Sequence, residues 1–165
     1  MAELTKLEAK LAEVLGLAMA AQGATETVKK LVAEEGDGEL VSALEKMHDD
    51  AKETEDRCTQ VAEELDGKKT AILEKARETK REAAEMMSTY LGDDADALDG
   101  FEFLTMAEAG EVGHWEIVHN FSARGGAEQI RALAEWAKPI QQRHFDQAIK
   151  GSLRLAEAED PNATE

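Results

Sequence analysis

The chain is short of the residues that would build anything other than helix. Of its 165 residues only Pro139 and Pro161 are proline, one is cysteine, and aromatics make up 4%. Proline this sparse leaves long helices uninterrupted, and the runs of Val, Ile, Thr and Tyr that read as strands are missing. The lone Cys58 excludes an intramolecular disulfide and a cysteine-rich zinc site. It falls on an apolar helix stripe and reads as a small buried hydrophobe. Positive charge is scarce as well: 19 basic against 36 acidic residues give a net charge of −17. Most of such a surface repels a phosphate backbone. The one basic-leaning stretch (Lys68, Lys69, Lys75, Arg77, Lys80, Arg81) is interleaved with Glu74, Glu78, Glu82 and Glu85, which is the i,i+4 pairing of a helix surface. Nucleic-acid binding is therefore not expected. No run approaches 18 apolar residues, so no membrane span is expected. The start, Met1-Ala2-Glu3-Leu4, lacks a signal-peptide layout, and a cytoplasmic protein is the expectation. The acidity suits solubility or a high-salt cytoplasm.

What is abundant is Ala, Glu, Leu and Lys, all good helix formers. The reading is an all-α chain with a single helical bundle domain over 1–157 and a flexible acidic tail over 158–165. The periodicity predicts helices over about Glu3–Glu35, Glu39–Leu65, Lys69–Leu91, Phe101–Ala123 and Ala127–Ala156. Gly36, Gly67 and Gly125-Gly126 serve as stops, and the acidic segment 92–100 reads as a loop. Pro139 should bend the fifth helix. Short connectors make neighbours antiparallel, so the first, second, fourth and fifth helices form an up-down bundle with the third alongside.

The fourth helix carries the chemistry. Phe101, Leu104, Ala107, Glu111, His114, Val118 and Phe121 follow the 3-4-3 spacing of one face, which turns Glu111 and His114 toward the core. A buried carboxylate costs several kcal/mol or shifts its pKa until it is neutral. Two readings follow: a hydrogen-bonded pair, or ligands to a metal, as when ferritin-like bundles supply Glu-x-x-His to a dinuclear centre. His144 lies on the inward stripe of the fifth helix, as a satisfied core histidine or as a ligand. Glu45-x-x-His48 has ligand spacing on a mostly polar face, which reads as solvated. Glu116, Glu53 and Asp50 are further candidates, His119 reads as a rim residue, and Gln22 is nearest the seam on the first helix. No Ser-His-Asp order, phosphate-cradling glycine loop or dinucleotide fingerprint is present.

Gly67-Lys68-Lys69-Thr70-Ala71-Ile72-Leu73, followed by the run from Ala107 through Gly113-His114-Trp115-Glu116-Ile117 to Val118, resembles the YciE/YciF-like family of ferritin-like proteins. So does the second-helix segment with Leu44, Glu53-Thr54-Glu55 and Arg57. The similarity covers roughly residues 25 to 157, and its specific part is the His-aromatic-Glu-Ile motif. The resemblance implies a ferritin-like antiparallel four-helix bundle with one additional helix, usually dimeric and tied to bacterial stress responses. It also implies a dinuclear iron or manganese site. In its motif His114 and Glu116 match, while Gly113 replaces a glutamate. Asp50 stands where the family's histidine aligns if Glu53-Thr54-Glu55 is the anchor, and His48 would need a shift. Gln141 and Gln142 stand where acidic residues are expected.

Two functions are thus in view. One is a stress-associated di-metal protein performing oxygen or peroxide chemistry with Glu111, His114, Glu116 and His144, helped by Asp50, Glu53 and His48. The other is a metal-free bundle that works as a structural or interaction module. Helix four and the faces bearing Trp115, Trp136, Phe145 and Ile149 offer more apolar surface than one core needs, so a homodimer is expected.

Overall fold

Residues 2–164 are described by a computed structural model. They form five helices: α1 (Lys6–Glu35), α2 (Gly38–Glu64), α3 (Lys69–Tyr90), α4 (Ala97–Gly125) and α5 (Glu128–Ala156). Two of them begin with reciprocal caps. The Thr5 hydroxyl accepts from the Glu8 amide at 3.2 Å while the Glu8 carboxylate accepts from the Thr5 amide at 2.7 Å. Two orphan donors are thereby satisfied, and α1 starts at Lys6, inside the expected Glu3. Asp96 and Asp99 do the same at 2.9 and 3.1 Å, so α4 starts at Ala97 and absorbs the second half of the segment expected to be a loop. At the other ends Gly36 and Gly126 adopt φ of 80° and 70°, the left-handed cap conformation that glycine takes without steric cost. The helix α5 runs unbroken through Pro139.

Consecutive helices meet antiparallel. Contacts join α1 to α2 and α4, and α5 to α4 and α2, a closed circuit of four helices; α3 lies mainly on α1. That approach is tight at Gly16, where an added Cβ would come within 2.4 Å of the Ala76 carbonyl oxygen. The α4–α5 seam is as close at Gly151, whose missing Cβ would fall 2.0 Å from the Phe101 ring.

Two apolar clusters form the core. One gathers Leu11, Leu15, Cys58, Ile72, Trp115 and Ile130; the other gathers Val28, Val32, Leu44, Phe101, Leu104 and Leu155. On α2, α4 and α5 the stretch between the two clusters carries buried polar groups (Thr54, Glu108 with Glu111, and Gln141 with His144), and on α1 Thr25 is buried at the edge of the second cluster. The fold is therefore greasy at both ends and polar across the middle.

Several sequence expectations are corrected here. Trp115, 1% exposed, takes the interior place assigned to His114. It therefore offers no face to a partner, and Trp136 is covered by the Arg57 guanidinium at 4.1 Å from its ring. On the fourth helix Met106 and Ile117 are exposed. On α3 only Ala71, Ile72 and Ala76 are buried, while Met86 and Tyr90 face outward. That helix lies outside the circuit and has one main neighbour, so half its apolar stripe goes uncovered. Among the described residues no helix is long and apolar enough to cross a membrane.

Candidate carboxylate–histidine site

The polar middle layer brings together five side chains from three helices: Asp50 on α2, Glu108 and Glu111 on α4, and Gln141 and His144 on α5. Glu108 is 2% and Glu111 6% exposed, and their spacing of three puts both on the inner face of α4. The Gln141 amide donates to the Glu108 carboxylate. The His144 ring places Nδ1 3.7 Å from the same carboxylate, too long for a hydrogen bond, while Nε2 lies 3.0 Å from Asp50 Oδ2. Arg143 also donates to that oxygen, at 2.8 Å.

The electrostatics divide the cluster. Burial pushes Glu108 up to about 7, against the opposing bond from Gln141. Burial and the neighbouring Glu108 push Glu111 well above the carboxylate range, because a charge cannot be hydrated there and two would repel. Neither has a lysine or arginine partner among the described residues. Burial also pushes Asp50 up, but hydrogen bonds from His144 and Arg143 outweigh it and hold the carboxyl below its usual value. His144 is lowered, chiefly by burial, so Nε2–H of a neutral ring donates to an ionised Asp50. The layer is thus an ion pair with a histidine bridge on one side and two protonatable acids on the other.

The expected residues are distributed as follows. His144 and Asp50 come together, and Glu111 neighbours Glu108 on the inner face of α4. His114 sits at the surface, its side chain 37% exposed, with Nδ1 2.8 Å from the Gly110 carbonyl and Nε2 3.6 Å from Glu13. Glu116 is exposed and pairs with Lys138 at 3.0 Å. Glu53 is exposed and pairs with Arg57 at 2.8 Å, and His48 meets Asp49 at 3.4 Å. The polar face read for Glu45 and His48, and the rim position of His119 beside Lys138, are as expected. The apolar stripe passes over Glu108, although a signal for it is present: stepping four from Leu104 reaches Glu108 and, after Glu111, Trp115, which puts the large aromatic inside.

A dinuclear carboxylate centre draws on about four carboxylates and two histidines. Here α5 gives a glutamine at the carboxylate position, and α1 contributes Thr25 and a Gln22 amide that donates to Glu55 at 2.5 Å. Arg143 and His144 both occupy Asp50. Among the described residues no group of three or more His, Cys, Asp or Glu is arranged to hold a metal ion. The side chains present do not fit a dinuclear iron or manganese centre. No family model matches the chain, and no curated protein or solved structure matches it either.

Proposed function

We propose that the protein is a ferritin-like bundle of the stress-associated kind its sequence resembles, in which the di-metal centre has given way to a metal-free carboxylate–histidine cluster. It then works through association, not through oxygen or peroxide chemistry. One observation carries this reading. Asp50 is taken by His144 and Arg143, Glu108 accepts from Gln141, and Gln141 stands where a carboxylate is needed. A neutral amide is a weak ligand for a hard cation, and a guanidinium on Asp50 competes directly with one.

The test is elemental analysis of protein purified without chelators, then thermal melting with added iron(II) or manganese(II). The expected results are metal well below one per chain and an unchanged Tm. Stoichiometric metal that Glu111→Ala removes would restore the di-metal reading. So would stabilisation near 2.7 kcal/mol at a hundredfold excess of metal over its Kd. Support for that second reading comes from Glu108 and Glu111, two buried acids that a cation could neutralise.

The proposed partner is a second copy of the chain. Exposed apolar side chains remain on α3, α4 and α5, Leu153 at 60% among them. Sedimentation at micromolar concentration should report a dimer, and a monomeric mass would remove the association claim.

A further inference from the structure

A cavity of about 360 Å³ lies between α1, α3 and α4. This is within the size range of small-molecule sites. Its walls are apolar, formed by Leu17, Ala83, Met87 and Leu104 among others, and Glu108 and Glu111 also line it. The Glu111 side chain is more than nine-tenths buried. Only burial and Glu108 act on its carboxyl, and no group among the described residues hydrogen-bonds to it. With no donor on it, and with no fully enclosed unpartnered side-chain oxygen among the described residues, the Glu111 carboxyl keeps accessible surface at the apolar cavity it lines, where an interior polar group otherwise has a partner. We infer that this cavity is a binding site for a small organic amine with an apolar body, its ammonium group seated at Glu108 and Glu111.

Charge selects that occupant over the alternatives. A ligand ending in a carboxylate would meet two acids and the field of a chain of net charge −17. A wholly apolar ligand would fill the walls and leave Glu111 unpaired. An amine satisfies both features, because its N–H groups donate to the carboxyl oxygens while its hydrocarbon covers Leu17, Met87 and Leu104. Lys80 and His114 also line the cavity, but His114 is turned to Glu13 and the Lys80 residue is exposed. The inference rests on the metal-free reading only in leaving both carboxyls free of a metal.

Calorimetric titration of the full chain with octylamine, octan-1-ol and octanoate tests it, after metal content has been measured and the protein dialysed against EDTA. Octylamine should saturate at one per chain, octan-1-ol should bind at least tenfold more weakly, and octanoate should give no measurable heat. Glu111→Gln should weaken octylamine tenfold or more and leave octan-1-ol within twofold. Ala83→Trp, which fills the cavity from α3, should abolish both. Equal affinity for all three probes overturns the site. So does octylamine binding that survives either substitution, or the absence of saturable octylamine binding to a folded wild type. Stoichiometric metal before dialysis would count against the metal-free reading alone, since the titration is read on stripped protein.

Discussion

Glu111→Met should stabilise the protein, by on the order of 2 kcal/mol at pH 8, as read by urea denaturation. The reason is the cost of a buried carboxyl that nothing compensates. Methionine has similar volume, needs no partner, and orphans none, because no group donates to Glu111. Exchanging buried ionisable groups for apolar ones of like size is commonly neutral or favourable by about 1–4 kcal/mol. The gain should grow with pH. Glu108, pushed up to about 7 from 4.5, and Glu111, raised well above the carboxylate range, bind protons more tightly folded than unfolded. Their stabilising contribution is complete below the unfolded value and is lost as pH rises through the folded one. Asp50 and His144 work in the opposite sense. Both are lowered on folding, so their contribution is present above their unfolded values and fades as pH falls. Wild-type stability should therefore peak at mildly acid pH and decline through neutrality, and Glu111→Met should flatten that decline. A variant less stable than wild type at both pH 5 and pH 8 would mean that Glu111 has a native partner, a metal ion included.

Gly151→Ala should destabilise the protein by about 1–3 kcal/mol, the usual cost of forcing a methyl into a filled core. Propensity alone argues the reverse, because alanine gains up to about 1 kcal/mol over glycine within a helix. Gly151 separates the two effects. Its Cβ would lie 2.0 and 2.3 Å from two carbons of the Phe101 ring, and that ring is fully buried. Gly113→Ala is the control: no atom lies within 4 Å of a Cβ there, and the substitution should raise Tm. Combining Gly151→Ala with Phe101→Leu should recover part of the loss, the coupling expected of residues in contact. Additive losses would mean that the seam relaxes elsewhere.

Much of this architecture can be read from residue order alone. Leu40, Leu44, Met47, Ala51, Thr54 and Cys58 fall on the buried face of α2 as their alternating spacing requires, and the glycine stops at Gly36 and Gly126 are where the chain reverses. What failed on α4 was the choice between a step of three and a step of four. The true face runs Phe101, Leu104, Glu108, Glu111, Trp115, Val118, Ser122. Taking Ala107, His114 and Phe121 rotates each by about 100° toward the rim. The apolarity of Ala107 favoured that choice over Glu108, because a buried acid contradicts the hydrophobic pattern from which the face is read. Gln141, buried on α5, goes against the same pattern. The pairing of His144 with Asp50 could not be inferred from local pattern at all. The two are 94 residues apart, and only the packing of α2 against α5 joins them. The Asp96–Asp99 cap is local, yet it lay within an acidic run whose composition suggests coil.

Beyond Ala76 no residue of α3 is fully buried, and those later turns supply Ala83, Met86 and Met87 to the outer wall of the cavity. A segment that hides so little apolar surface detaches at a fraction of the free energy needed to unfold the whole domain. The distal turns of α3 thus behave as a leaf bound along the spine at Gly16. Guests could exchange as that leaf lifts, while the circuit of α1, α2, α4 and α5 stays shut.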